Sequence, residues 1–174
     1  EDLTCYNNLL TSLDVSTNTA LIGLFCYNNP IGTLDVSNNI KLEYLEFGAN
    51  QLTTIDLTGL TALIHLSGGG NQITTLDVST NIALEVLYIG GTQITALDLG
   101  NNTNLWNLHC SYNQLTTLNL NTNIKGLNCD NNQLTALDLR QNTSLTGLNC
   151  SGNQLTTLDI RNGNNTNIAS RFNA

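Results

Sequence analysis

The side chains of this 174-residue chain that could catalyse proton transfer are three carboxylates and two imidazoles: Glu43, Glu46, His65, Glu85 and His109. Glycoside hydrolysis needs a pair of carboxylates, and an imidazole beside a carboxylate can act as a general acid and base. The repeat described below places all five on an open face, which does little to exclude water or shift a pKa. The sequence also carries no nucleophile motif, no His-Glu-x-x-His and no phosphate-binding loop. We therefore predict no catalytic residues and no enzymatic activity.

Cysteine is one residue type that could bind a metal. The five cysteines all occupy the same position of the repeat: Cys5, Cys26, Cys110, Cys129 and Cys150. A metal site needs ligands that converge on a point, whereas this column runs along an axis. Disulfides fit directly stacked strands poorly. We predict buried free thiols that pack as small hydrophobic side chains, with no metal and no cofactor.

A second column of possible ligands is acidic and points outward from the return side of the repeat. Its members are Asp14, Asp35, Asp56, Asp77, Asp98, Asp138 and Asp159, with Asn119 in the same position. Like charges about 5 Å apart repel each other, so these carboxylates need partners. Two interpretations remain open: hydrogen bonds from backbone amides or Thr hydroxyls of the next coil, or Ca²⁺ bridging between coils. Arg140 and Arg161 are expected to neutralise the C-terminal end of the column.

These columns exist because the chain repeats itself. Equivalent leucines recur every 21 residues: Leu21, Leu42, Leu63, Leu84 and Leu105. The next coil begins at Ile124 after only 19 residues, and Leu145 restores the 21-residue step. The shared pattern is L-x-x-L-x-[CLIF]-x-x-N-x-L-x-x-L-D-[VL]-x-x-N-x-x. Such a regular period indicates a solenoid of stacked coils.

The spacing of apolar residues within one coil predicts a strand followed by an extended return. In Leu24-Phe25-Cys26 the first and third side chains face the core and the second faces outward. Stacking the coils ~4.8 Å apart pairs the strands into a parallel sheet and closes the core. A 21-residue coil has no room for a full helix, so the return should form a second strand-like ladder at Leu-Asp-Val or Leu-Asp-Leu. We expect the two-residue deletion at 121–124 to tighten one turn without breaking strand register.

Two asparagine columns should hold the stack together, and one glycine interrupts the packing of the cysteine column. One Asn column follows the strand and should bond the backbone groups that the bend leaves unpaired: Asn8, Asn29, Asn50, Asn71, Asn113, Asn132 and Asn153. A second column lies on the return side: Asn18, Asn39, Asn81, Asn102, Asn123 and Asn142. In the cysteine column, Gly68 would leave a hole, and the Phe47 ring one coil earlier is the expected filler.

The strand signature resembles that of the leucine-rich-repeat family, as in Leu105-Trp106-Asn107-Leu108-His109-Cys110-Ser111-Tyr112-Asn113-Gln114-Leu115. The 21-residue length and the internal echo of L-x-L-x-x-N are similar to a bacterial, Bacteroidetes-like subclass with a nested half-repeat. This resemblance implies a parallel β-sheet on the concave face, an extended or short-turn convex side, and little or no α-helix. It also implies a secreted or cell-surface bacterial protein with a role in protein binding or adhesion.

The domain boundaries follow the repeat. We predict one leucine-rich-repeat domain over residues 1–174, of about eight coils, with a partial N-terminal coil at 1–20 and a degenerate C-terminal coil at 162–174. The end coils lack polar caps, so flanking domains or self-association at the coil ends are expected to cover them. No apolar run approaches the ~20 residues of a membrane span.

Charge is distributed unevenly along the chain. The net charge is −8, and residues 1–124 carry ten acids against the single Lys41, whereas residues 125–174 carry three acids against four basic residues. No basic stripe exists, so a nucleic-acid partner is not expected.

The outward strand positions are free to vary and carry most of the aromatic residues. Aromatic side chains are enriched where surfaces bind partners. We predict a ligand-binding face made of Phe25, Tyr27, Glu43, Tyr44, Glu46, His65, Glu85, Tyr88, Trp106, His109 and Tyr112. Glycines at 48, 69, 70, 90 and 91 should open a shallow trough beside it.

Three functions fit this face. A protein or peptide with basic residues could use the carboxylates for steering and the rings as anchors, and we favour this interpretation. A polysaccharide could stack its sugar rings on the same aromatic residues. The third alternative is a structural spacer or adhesin repeat, in which large side chains merely cover the sheet.

Overall fold

The computed structural model describes residues 1–163, which form a β-solenoid of about eight coils that contains no helix. Every strand is three residues long, because each coil turns as soon as one Leu has reached the core. The strands are β1 Asp2–Thr4, β2 Gly23–Phe25, β3 Tyr44–Glu46, β4 His65–Ser67, β5 Val86–Tyr88, β6 Ala96–Asp98, β7 Asn107–His109, β8 Thr117–Asn119, β9 Gly126–Asn128, β10 Ala136–Asp138, β11 Gly147–Asn149 and β12 Thr157–Asp159.

One eight-stranded parallel sheet runs the length of the stack in the order β1-β2-β3-β4-β5-β7-β9-β11. Successive strands pair in register, so that Leu24 lies beside Leu45 and Leu45 beside Leu66. The register continues across the 19-residue coil, where Leu108 pairs with Leu127. The two-residue deletion therefore shortens a turn and leaves the sheet intact, as the sequence predicts.

The second ladder forms in only part of the return side. Strands β6 and β8 pair with each other, and β10 pairs with β12. The return segments of the earlier coils contain no β-strand. The predicted second ladder is therefore present only from residue 96 onward, as two separate pairs of strands. The gap between β8 and β10 coincides with the 19-residue step of the chain.

The core is one continuous cluster of mostly aliphatic side chains, to which each coil contributes several inward positions, and it includes the cysteine column. All five cysteines are free thiols, and burial raises the pKa of Cys26 and of Cys110 to about 12. The Phe47 ring fills the space beside Gly68, because a Cβ built on that glycine would lie 2.3 Å from the ring. The contact between Phe47 and Gly68 is confirmed, and the free thiols are buried as predicted at four of the five positions, with Cys5 half-buried in the first coil.

Asparagine side chains link one coil to the next along the inside of both bends. Asn71 Nδ2 donates to the carbonyl oxygens of Phe47 and Gly68, and its Oδ1 accepts from the Leu52 amide. In the return-side column the prediction is wrong at one coil. Asn121 is the buried asparagine and donates to the Asn102 and Leu105 carbonyl oxygens, because the deletion moves the bend two residues earlier. Asn123 is exposed and donates to the Thr103 carbonyl oxygen instead.

The predicted C-terminal coil at 162–174 lies outside the described residues, apart from its first two positions. The N-terminal coil at 1–20 contributes β1, which pairs with β2. Among residues 1–163 there is no helix long and apolar enough to cross a membrane. The assignment of one domain to the whole chain stays a prediction.

Candidate ligand-binding face

The eleven residues predicted to bind a ligand fall into three groups along the eight-stranded sheet, and all of them are half-buried or exposed. Six lie within strands: Phe25, Tyr44, Glu46, His65, Tyr88 and His109. Three directly precede a strand: Glu43, Glu85 and Trp106. Two follow the strand at the bend: Tyr27 and Tyr112. We refer to these eleven residues as the aromatic-acidic face.

Four of the rings form a continuous row across four strands. The Tyr44 and His65 ring centroids are 6.4 Å apart, those of His65 and Tyr88 are 5.6 Å apart, and those of Tyr88 and His109 are 4.8 Å apart. The last two pairs meet edge to face, the arrangement that ring quadrupoles favour. Tyr44 and His65 are in-register partners on neighbouring strands, as are Tyr88 and His109. His65 pairs in register with Val86, so its contact with Tyr88 is a diagonal one between neighbouring strands.

A separate pair of rings lies at the N-terminal end of the solenoid, where the first two coils bend after their strands. Tyr6 and Tyr27 stack with centroids 4.3 Å apart and planes 8° from parallel. Partial desolvation, with smaller contributions from Tyr6 and the charge of Glu46, raises the pKa of Tyr27. Tyr6 was not among the predicted site residues, although its column is visible in the sequence one coil before Tyr27.

The carboxylates lie beside the row of rings. Glu46 Oε1 is 3.6 Å from His65 Nε2, and the Glu46 side chain remains 30% exposed. Glu43 and Glu85 occupy one column at the start of the strands, with Ile64 between them. The face therefore presents negative charge around aromatic rings, which is the environment that attracts cations.

A trough runs beside the rings at the end of the strands. It has a volume of about 330 Å³, and Tyr27, Glu46 and Tyr88 contribute side chains to its walls. Its floor needs glycine, because a Cβ on Gly69 would lie 2.6 Å from the Gly90 carbonyl oxygen. The trough expected from the glycine pattern is present.

Tyr112 differs from the other aromatic residues in its backbone. It has φ 54° and is 66% exposed, at the bend position that Asn28 and Gly70 occupy in other coils. The left-handed conformation costs an ordinary L-residue about 1–2 kcal/mol. Sequence reasoning placed Tyr112 on the strand, and that placement is wrong because β7 ends at His109.

Asn107 contacts the site and was missed. Its Nδ2 donates to the Tyr88 hydroxyl at 2.9 Å, which fixes the orientation of that ring. Asn107 lies at a variable position of the repeat, so its identity alone carries no signal. The contact depends on Tyr88 lying on the neighbouring strand, which follows from the register of β5 and β7.

The aspartate column has local partners, which corrects one part of the prediction. Each Asp accepts from the backbone amide two residues later in its own coil, as Asp35 does from Ser37 at 2.9 Å. That bond lowers the pKa of Asp35. In the described residues, groups of three His, Cys, Asp or Glu side chains arranged to hold a metal are absent.

The C-terminal end of this column is neutralised as expected. The Arg140 guanidinium bonds Asp138 at 2.6 Å and lies 3.6 Å from Asp159. Arg161 bonds Asp159, and together with its own amide it holds the pKa of that carboxyl at about 2.

No protein-family model and no curated protein matches the chain. Several solved structures match it. The functional domain of InlJ from Listeria monocytogenes, described as including a cysteine ladder, superposes with a TM-score of 0.91 and 40% identity over 92% of this chain and 36% of that one. A leucine-rich-repeat protein of Leptospira interrogans gives 0.82 and 27% over 95% of this chain and 46% of that one. An internalin (inlF) of Listeria monocytogenes gives 0.80 and 28% over 87% and 52%. The chain thus spans between about a third and a half of these proteins.

Proposed function

Because the chain is a leucine-rich-repeat protein with a parallel β-solenoid fold, we propose that it is a non-catalytic binding module that recognises a protein or peptide with basic residues. The aromatic-acidic face is the proposed surface. Solenoids commonly bind partners on the surface that their stacked strands build. Residence in a secreted or cell-surface bacterial protein is part of the proposal, and the similarity to internalins supports it.

The row of rings from Tyr44 to His109 is the observation that carries this proposal. Exposed aromatic side chains contribute little to the core, and as rigid groups they lose little entropy on binding. Tyr44 and Trp106 remain 41% and 39% exposed, so their surfaces are available to a partner.

Charge supports a basic partner. Glu43, Glu46 and Glu85 lie among the rings, and before residue 125 the only Lys or Arg in the sequence is Lys41. A cationic side chain on this face would meet carboxylates and ring faces together. An acidic partner would meet repulsion on the same surface.

The test is a selection from a random-peptide library on the wild-type protein, with counterselection on a Tyr44→Ser/Tyr88→Ser/Trp106→Ser variant. The control variant is Ile40→Ser/Ile82→Ser, which removes two hydrophobic side chains that are each 57% exposed elsewhere on the coils. We expect peptides rich in Lys or Arg that bind the wild type and the control equally, lose affinity for the triple variant, and bind more weakly as salt increases.

Other outcomes would contradict the proposal. Equal binding to the triple variant would move the site off this face. Salt-independent binding of glycans, but not of peptides, to the same rings would favour a polysaccharide. Failure to enrich any peptide or glycan on this face would favour a spacer.

A further inference from the structure

A second recess lies in the C-terminal half of the same sheet, beyond the aromatic-acidic face. It is a cleft of about 370 Å³ over strands β7, β9 and β11. That volume is within the range of small-molecule sites, roughly 300–1,000 Å³. The polar side chains and glycines that line it, which we call the amide cleft, are Asn107, His109, Gly126, Asn128, Gly147 and Asn149.

The cleft exists because two side chains are missing from the sheet. Val86, Asn107, Gly126 and Gly147 occupy equivalent positions on neighbouring strands. A Cβ on Gly126 would lie 3.0 Å from Asn107 Oδ1, so this oxygen overhangs the space that the glycine leaves. A Cβ on Gly147 would meet nothing within 4 Å. The glycines therefore open a recess beside polar side chains.

The asparagine amide groups in this recess have hydrogen-bond donors and acceptors that the protein itself does not use. Asn128 Oδ1 is buried and has no hydrogen-bond partner among the described residues. A buried carbonyl oxygen without a donor is unfavourable, so rotation of this amide toward the cleft, where a ligand can donate to it, breaks no hydrogen bond of the oxygen. Asn149 Oδ1 accepts from the Ser151 hydroxyl at 2.8 Å, which orients the Asn149 amide and leaves its NH₂ as a donor. Asn107 Nδ2 donates to the Tyr88 hydroxyl, which orients the Asn107 amide in the opposite sense and leaves its Oδ1 as an acceptor beside Gly126.

The lining also selects against charge. None of the described residues that line the cleft is Asp, Glu, Lys or Arg. A charged ligand would lose hydration without gaining an opposite charge, and an apolar ligand would leave the amides unpaired. A ligand whose hydroxyls both donate and accept satisfies Asn side chains of both orientations.

We propose that the amide cleft is a binding site for a neutral saccharide. The site is distinct from the protein-binding surface proposed above and does not depend on it. Asn107 Oδ1 and the Asn149 NH₂ are the oriented acceptor and donor, and Asn128 adds an acceptor when its amide rotates into the cleft. His109 lies at the border between the two surfaces.

The experiment uses a panel of neutral methyl glycosides of glucose, galactose, mannose, fucose, N-acetylglucosamine and N-acetylgalactosamine. Binding to the 174-residue chain is detected by saturation-transfer-difference NMR, and affinities are measured by calorimetry. Gly147→Val fills the cleft with a side chain that β5 already carries as Val86, and its Cβ meets nothing. Gly32→Val is the matched control, because a Cβ there also meets nothing and lies in another coil.

At least one glycoside of the panel is expected to bind the wild type and Gly32→Val equally, with little dependence on salt. Gly147→Val is expected to weaken that binding by about tenfold or more while raising the midpoint of chemical denaturation, because Val favours a strand more than Gly does. Absence of binding by every glycoside at roughly 10 mM would overturn the proposal, since weaker affinity than the millimolar range is not specific recognition. Equal binding to Gly147→Val would overturn it as well.

Asn128→Leu provides a second, independent variant. It replaces the unpartnered amide by an apolar group of similar size, so the free protein should resist denaturant better and the glycoside should bind about tenfold more weakly. A purely structural Asn128 would give the opposite stability change. The peptide selected on the aromatic-acidic face should bind both cleft variants normally, so failure of either proposal can be recognised separately.

Discussion

The two halves of the eight-stranded sheet have the same backbone and different outward surfaces. In strands β2 to β7 the outward positions carry Tyr44, Glu46, His65 and Tyr88, which stand out from the sheet as rings and carboxylates. In strands β9 and β11 the corresponding positions carry glycine and asparagine, which form a recess. The inward leucines are the same in both halves and pair in the same register. Packing therefore fixes the inward positions, and the outward positions are free to specify two kinds of surface.

The return side shows the same division. Before residue 96 the aspartates accept from the amide and the hydroxyl of the Ser or Thr two residues later in their own coil, as Asp56 does from Thr58. Later in the chain, Asn119 donates to Asp98, and Arg140 and Arg161 bond the last two aspartates. The second β-ladder also occurs only in this later part. Asparagine side chains link the coils on the return side of both halves, as Asn39 and Asn81 do. The C-terminal half adds the second ladder and the side-chain contacts between Asn119 and Asp98 and between Arg140 and Asp159.

The largest expected effect comes from the one aromatic residue of the core. Phe47→Ala should lower the free energy of unfolding by about 3–5 kcal/mol, because it leaves a cavity that Gly68 cannot fill. The double variant Phe47→Ala/Gly68→Ile should recover part of the loss, since Ile89 already occupies this column one coil later. Chemical denaturation of both variants measures the coupling. A loss below about 1 kcal/mol for Phe47→Ala would refute the pairing.

Removing an asparagine from the column that follows the strands should lower stability equally in the two halves of the sheet. Asn71→Ala and Asn132→Ala each remove an acceptor and a donor from buried backbone groups, so each should cost about 2–3 kcal/mol. Equal losses in denaturant unfolding would confirm that the inward scaffold is shared. A loss at one site that is more than twice the other would show that the halves differ in their cores as well.

At Tyr112, in the bend after β7, one substitution should raise the stability of the fold and lower its affinity for the peptide. Tyr112→Asn should stabilise the fold by about 1 kcal/mol, because Asn tolerates the left-handed conformation better than Tyr. The same variant should weaken the peptide selected on the aromatic-acidic face. The matched reverse change, Asn131→Tyr, should destabilise by about the same amount. Unchanged peptide affinity for Tyr112→Asn would remove Tyr112 from the binding surface.

The smallest expected effect is a difference in acid sensitivity along the aspartate column. Asp159 has its pKa lowered to about 2, mainly by hydrogen bonds from the Arg161 side chain and amide. An unfolded aspartate titrates near pKa 3.9, so ionised Asp159 stabilises the fold above that pH. This contribution is lost as the pH falls from about 4 to about 2.

The measurement is the denaturation midpoint between about pH 5 and pH 2, where carboxyl groups titrate. Asp159→Asn should flatten the acid side of this profile more than Asp56→Asn does, because Asp56 accepts from the Thr58 amide and hydroxyl and not from an arginine. Added salt should reduce the difference, since the arginine pairs are exposed. Identical profiles for the two variants would show that the arginine pairs contribute nothing.

Much of this structure could be predicted from one sequence because solenoid repeats impose local rules. The 21-residue step predicts the coil, and the inward column predicts both the free thiols and the contact between Phe47 and Gly68. Each of these depends only on residues one coil apart, which the alignment of the repeats places side by side. The errors arose where the repeat departs from its own period, as at Asn121, or where the backbone leaves the strand, as at Tyr112.

The sequence by itself determined the fold, the direction in which each strand residue points and the separation of aromatic and small residues into two halves. The tertiary structure alone decided which side chains meet. The ring row, the bond from Asn107 to Tyr88, the amide partners of the aspartates and the amide cleft depend on rotamers and on distances between neighbouring coils. The physical reason is that burial constrains inward positions residue by residue, whereas an outward side chain takes its conformation from whatever the next coil presents.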